Sequence, residues 1–182
     1  MKITDTRICY TVEKLIQPFG FKGAYFNNLW QPVVELKTKD NYALGIAIQS
    51  VLWSDEGIFS RYGFDKGNEL MLEGTKIALK YLNNTEFDNP FHAINAITPL
   101  VYEDLKKITN CPNLRETFVL NGLVAIDSAL WQLYGKEHGT ENILDLVDSE
   151  TSKNLSGRTD KIFSIPLLSY ATSLDEIKKL LD

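Results

Sequence analysis

The first forty residues alternate between apolar and polar positions, and the later ones do not. Ile3–Val12 alternates loosely and predicts a strand. "VVELKT" (33–38) and "YALGIAIQSVLW" (42–53) are apolar runs on either side of Lys39-Asp40-Asn41. Asp and Asn tolerate left-handed dihedrals, so this spacing predicts a hairpin. Three consecutive strands arrange most economically as an antiparallel meander. The stretches between and after them are punctuated by Gly and rich in aromatics, "FGFKGAYFNN" (19–28) and "SDEGIFSRYGFD" (54–65), and read as two loops.

From Asn68 the period lengthens. Leu70, Ile77, Leu79 and Leu82, with Met71, Ala78 and Tyr81, form a broad apolar face that ends at Asn83-Asn84. A second helical stretch runs from Asn89 to Asn110, with Pro99 as a kink or a new start, and Lys106 and Lys107 at its C-terminal end. His92 falls on its apolar side and reads as a packed histidine. A third helix begins near Pro112, with Asn113 as cap and Glu116 three residues on. Phe118, Leu120, Leu123, Val124, Ile126, Ala129, Leu130 and Leu133 leave few polar positions, so this helix has to be covered on more than one face. Trp131 is expected in its core, and Gly135 and Gly139 are candidate terminators.

Beyond Gly139 the pattern fades. The polar segment 148–161 reads as a linker. "IFSIPLLSYAT" (162–172) reads as a strand buried on both faces of a parallel sheet, and "SLDEIKKLLD" (173–182) as a helix capped by Ser173 and Glu176. A parallel strand needs a parallel neighbour, which the preceding strands do not supply. The expectation is a capping unit over 1–147, a linker over 148–161 and the first βα unit of a truncated second domain over 162–182. The fold class is α+β.

Composition narrows the function classes. A net charge of −5 argues against nucleic acid as the main partner. The start, "MKITDTRICYTV", lacks the apolar core of a signal peptide, and no run of 18 or more apolar residues predicts a membrane span. Cys9 and Cys111 are far apart and are expected to be reduced and buried in a cytoplasmic protein. Two His and no CxxC or HExxH pattern give no zinc site.

Candidate chemistry therefore rests on the two aromatic segments. In a meander, the connection between strands one and two and the exit from strand three lie at the same end of the sheet. Phe21, Tyr25, Phe26, Trp53 and Tyr62 would supply apolar walls, and Lys22 or Arg61 a charge-assisted contact to a carboxylate. The plainer reading is two surface segments whose aromatics fold back on the core.

"AIDSALWQLYGKEHG" (125–139) resembles a recurring motif of the enolase superfamily, in the mandelate racemase and muconate lactonizing enzyme branch, through Ala125, Asp127, Ala129, Leu130, Trp131, Leu133, Gly135, Lys136 and Gly139. Gln132 stands where that motif usually has Asp. "MKITDTRI" is similar to the family's first strand, "VVELKTKDNYALGIA" to its second and third, and "IPLLSYAT" to the first strand of its (β/α)₈ barrel. The resemblance implies an N-terminal capping domain whose two loops close over a barrel and select a small carboxylate substrate: an acid sugar, an amino acid derivative or a hydroxy acid. It implies a Mg²⁺-dependent racemase, epimerase, dehydratase or cycloisomerase that removes the proton next to the carboxylate. It places the metal ligands and the catalytic acid/base residues in the barrel, with none in these 182 residues. This piece alone is then expected to be inactive, to bind no Mg²⁺ and to expose an apolar face; a homo-oligomer is expected of the full-length protein. A stand-alone small-ligand module and an interaction domain without catalysis are the alternatives.

Overall fold

The computed structural model describes residues 1–21, 23–157, 161, 168 and 172–179. Three strands, β1 (Asp5–Phe21), β2 (Ala24–Lys37) and β3 (Tyr42–Ile46), form an antiparallel sheet in the order β1-β2-β3. Helices α1 (Val51–Ser54), α2 (Glu56–Leu82), α3 (Pro90–Thr109) and α4 (Glu116–His138) follow. A 3₁₀ turn (Ile143–Asp145), α5 (Ser149–Leu155) and α6 (Leu174–Lys179) complete the described elements. The antiparallel meander followed by helices is the α+β arrangement expected.

One face of the sheet is apolar and covered. Trp30, Val34 and Leu36 of β2, with Ala43, Gly45 and Ala47 of β3 and its extension, are buried against the helices. The other face leaves Tyr42, Leu44, Ile46 and Ile48 exposed along the β3 edge. Cys9 also lies on that side, paired with Val33, and is exposed; Cys111 is half-buried. The expectation that both cysteines are buried fails because a period-two strand sends every second residue outwards.

The 125–139 motif explains how α4 meets the sheet. Gly45 sits under α4 so closely that a Cβ there would lie 2.6 Å from the Ala129 backbone nitrogen and nearer still to the Ala125 oxygen. Ala125 and Ala129 are small for the same reason, and both are buried. Lys136 Nζ donates to the Tyr42 backbone oxygen at 2.7 Å and lies over the Tyr42 ring at 4.9 Å. Glu137 accepts from Thr38 Oγ1 at 2.6 Å and Asn41 Nδ2 at 2.7 Å, which ties the β2–β3 turn to the helix. These two donors hold the Glu137 carboxyl below its usual range. The turn closes through Thr38 rather than through left-handed residues; Asp40 and Asn41 have no positive φ.

Helix ends follow the sequence in part. Gly139 (φ 68°) ends α4 in a Schellman arrangement, with Gly139 N–H to Lys136 O and Thr140 N–H to Gly135 O. Gly135 is not a terminator: it lies inside the helix, where a Cβ would meet Thr140 O at 2.7 Å. Asn113 does not cap α4. Arg115 holds the cap position without a side-chain bond, and its own N–H donates to Asp55 Oδ2 at 2.8 Å. Asn89 caps α3 with Pro90 at its first position, and the helix runs on through Pro99. His92 is exposed, 2.9 Å from Asp88 Oδ2, because the buried stripe of α3 runs through Ala93, Ile97, Val101 and Leu105 instead. Trp131 is only half-buried, edge-on to Phe91 at 5.0 Å. Its hydrogen bond to Asp127 opposes the burial that pushes the Asp127 carboxyl up.

The segment read as a linker contains α5, capped by Asp148, which accepts from Glu150 and Thr151 N–H at 3.0 Å each. The strand expected over 162–172 lies outside the described residues apart from Leu168 and Thr172. Ser173 and Glu176 form the expected reciprocal cap of α6, with Ser173 N–H to Glu176 Oε2 at 2.8 Å and Glu176 N–H to Ser173 Oγ at 3.3 Å.

Candidate functional site

Neither aromatic segment is a free loop. Residues 19–28 form the end of a β1–β2 hairpin, and 56–65 open α2. Cross-strand pairing continues past Lys14, where the register shifts, and resumes at Phe19 opposite Phe26. Without that shift Ile16 would pair with Phe26; with it, Ile16 is fully exposed and Phe19 takes the helix-facing position. β3 is shorter than expected because the chain leaves the strand after Ile46, touches Trp30 once more through Gln49, and turns into α1.

This geometry brings the two segments together at the hairpin end of the sheet. Phe26, 4% exposed, lies edge-on to Trp53 at 6.2 Å and stacks on Phe64 at 5.2 Å and 9°. Phe19 adds a tilted contact to Phe26 at 5.4 Å. Behind them Trp30 stacks on Tyr10 at 5.5 Å and 2°, and its Nε1 donates to Asp65 Oδ1 at 3.4 Å. Gly63 makes the approach of Phe64 and Asp65 possible. Its φ of 75° and ψ of −175° interrupt α2, a conformation in which a Cβ is strained.

The sequence-predicted residues divide accordingly. Phe26 is the buried centre of the cluster, and Trp53, 47% exposed, is its outer wall. Tyr25 pairs with Gly20 on the opposite face of the hairpin and is exposed. Phe21 pairs through its backbone with Ala24. Lys22 lies outside the described residues. Arg61 and Tyr62 turn away: Arg61 Nη1 donates to Asn110 O at 3.0 Å and Tyr62 Oη to Thr109 O at 2.8 Å. Both satisfy the C-terminal carbonyls of α3, which a helix end leaves open. Phe19, Phe64 and Asp65 are cluster residues that the pattern alone did not single out. The available signal was Gly63-Phe64-Asp65, a glycine break followed by an aromatic within a helical stretch.

Among the described residues, no group of three or more His, Cys, Asp or Glu side chains is placed to hold a metal ion. A hard cation needs several oxygen ligands converging at short range, so the described residues do not fit a Mg²⁺ site. Among them, no helix is long and apolar enough to cross a membrane.

No family model and no curated protein matches the chain. Solved structures do. A dipeptide epimerase from Cytophaga hutchinsonii, complexed with Mg and the dipeptide D-Ala-L-Val, is 17% identical with a TM-score of 0.51, over 88% of this chain and 35% of that one. A dipeptide epimerase from Enterococcus faecalis V583, complexed with Mg and L-Leu-L-Tyr, is 19% identical with a TM-score of 0.45, over 76% and 32%. An enolase from Bradyrhizobium complexed with magnesium and mandelic acid is 10% identical with a TM-score of 0.48, over 80% and 34%. The chain spans about a third of the length of the structures it matches. The sheet, the helix order and the match to the Cytophaga epimerase agree: this chain has the fold of the N-terminal capping domain of enolase-superfamily enzymes.

Proposed function

We propose that the chain is the substrate-capping portion of a Mg²⁺-dependent enzyme that removes the proton next to a substrate carboxylate. Racemisation or epimerisation comes first among its reactions, with dehydration and cycloisomerisation as further members of the class. The observation that carries this reading is the convergence of Phe26, Trp53 and Phe64 where the hairpin meets α1 and α2. An apolar wall at one end of a cap excludes water from a charge-separated reaction beneath it. A proton beside a carboxylate is very weakly acidic, so the dianionic intermediate needs a cation next to it. That cation and the acid/base residues belong to a barrel domain beginning near residue 162, joined to the 1–147 cap by 148–161.

Trp53 and Tyr25 present the apolar surface, and Phe26 supports Trp53 from behind. Lys22 and Phe21 sit at the hairpin tip in sequence, and Lys22 is the first choice to meet the substrate carboxylate. Arg61 and Tyr62 are engaged with the α3 end and rank after it. The dipeptides held by two of the matched epimerases favour an amino acid derivative over a hydroxy acid or an acid sugar. The complete protein is proposed to be a cytoplasmic homo-oligomer.

The test is α-proton exchange in D₂O. The polypeptide encoded with whatever follows Asp182 is incubated with dipeptides, N-acyl amino acids and mandelate, and the α-proton signal is followed by ¹H NMR with Mg²⁺ and with EDTA. Mg²⁺-dependent loss of the α-proton signal supports the reading. If the encoded polypeptide carries no barrel and exchanges no α-proton, the chain is a binding or interaction module instead.

A further inference from the structure

The direction of Trp53 is set by residues that never touch it. Helix α1 has four residues, too few to be stable alone, and its Ser50 cap makes no side-chain bond. Other elements supply what it lacks. Asn68 Oδ1 of α2 accepts the Val51 N–H at 2.9 Å. Asn121 Oδ1 of α4 accepts both the Ser50 N–H and the Ser54 hydroxyl, each at 3.0 Å, and Asn121 Nδ2 donates to Ile48 O at 3.3 Å. Thr117 Oγ1 donates to Ser54 O at 2.6 Å. Asp55 then closes the segment, with Oδ1 taking the Ile58 N–H at 3.0 Å and Oδ2 the Arg115 N–H at 2.8 Å. Both ends of α1 are thereby fastened to α4.

Val51, Leu52 and Ser54 are buried, and Trp53 is the one residue of α1 turned outwards. The fastening is polar and deep: Ser50, Ser54, Asp55 and Asn68 are all 5% exposed or less. Ser50 Oγ and Asn68 Nδ2 have no hydrogen-bond partner among the described residues. Buried polar atoms without partners cost stability, and apolar packing would avoid the cost. A hub of this kind specifies an orientation rather than maximising stability. One side chain carries most of it, because only a carboxamide both accepts two bonds and donates a third from a single group at this spot.

We propose that Asn121 is a positioning residue that acts through α1 to aim Trp53, and with it the outer wall of the candidate site. This rests on the reading of Trp53 as substrate-facing, but its test does not.

The 182-residue chain is labelled with 5-fluorotryptophan, and the ¹⁹F resonances of Trp30, Trp53 and Trp131 are assigned by single Trp→Phe changes. Asn121→Ala is expected to shift and broaden the Trp53 resonance while that of Trp131, at the far end of α4, stays in place. Asn121→Asp keeps the accepting oxygen and is expected to retain most of the wild-type Trp53 signal. Should Asn121→Ala fail to fold, Ser54→Ala removes one of the same bonds and gives the same reading on a smaller scale. A Trp53 resonance that stays in place in the folded variants, or all three resonances moving together, overturns the proposal. In the complete protein, misdirecting the wall lowers kcat/KM roughly tenfold or more, since displacements of about 1 Å cost up to ~100-fold. A shifted Trp53 with unchanged kcat/KM upholds the positioning role and defeats the substrate-facing reading.

Discussion

Gly45→Ala tests the contact on which the fold is built. Its Cβ would meet the backbone of α4 at Ala125 O and Ala129 N, neither of which is the end of a flexible side chain. Ordinary van der Waals separation requires β3 and α4 to part by on the order of 1 Å. The surfaces that part are lined by Ala43, Ala47, Ala125 and Ala129, which have no length with which to fill the gap. Loosening on the order of 100 Å² of apolar contact costs about 2.5 kcal/mol at ~25 cal/mol per Å². Overpacking strain adds about 1–3 kcal/mol. Together they predict a loss of about 3–5 kcal/mol, a large part of the ~5–15 kcal/mol typical of a domain. For a chain of this size each kcal/mol lowers Tm by about 2–4 °C, so the expected drop is roughly 6–20 °C. The assay is thermal denaturation followed by far-UV circular dichroism. Gly157→Ala is the control, because its Cβ would meet nothing within 4 Å and its φ is ordinary. A Gly45→Ala variant that melts with wild type refutes the close approach of β3 and α4.

Four further outcomes follow from the same structure. Asp55→Ala removes the cap of α2 and the partner of Arg115 N–H, and is expected to cost about 2–3 kcal/mol in urea denaturation. Tyr62→Phe removes one bond to an α3 carbonyl and is expected to cost about 1 kcal/mol by the same assay; an unchanged midpoint would release Tyr62 for a binding role. Trp131→Ala, at a half-buried site, is expected to cost about 1–2 kcal/mol, below the ~3–5 of a fully buried Trp, as read from its thermal midpoint. Glu137 has a lowered pKa, so its contribution is present at neutral pH and is lost as pH falls through the folded-state value; Glu137→Gln is expected to flatten that acid limb in a pH series of unfolding midpoints.

The order of elements was legible in the sequence because it rests on local rules. Period-two alternation marked the β2 core, and the apolar density of 116–138 marked a helix covered on several faces. Gly139 announced the end of α4 through a conformation that only glycine adopts cheaply. The 125–139 motif showed that α4 matters, but Gly45, whose missing side chain lets it approach the sheet, lies eighty residues earlier. Long-range partners decided the rest. The hairpin continued to Phe21 because pairing with β2 outweighed its glycines, and the bulge between Lys14 and Phe19 chose which aromatic faced the helices. Residues 56–65 became helical because Asp55 capped them and Gly63 let the chain bend without leaving the helix. Arg61 and Tyr62, two candidates for a ligand, were drawn to the open carbonyls of α3. His92 and Trp131 were misplaced for a related reason: a helix has several apolar-looking faces in sequence, and only its neighbours determine which one is buried. Local propensity is a property of a few adjacent residues, whereas a site is a meeting of distant ones, and the energy that selects the meeting is spent on contacts no short window of sequence contains.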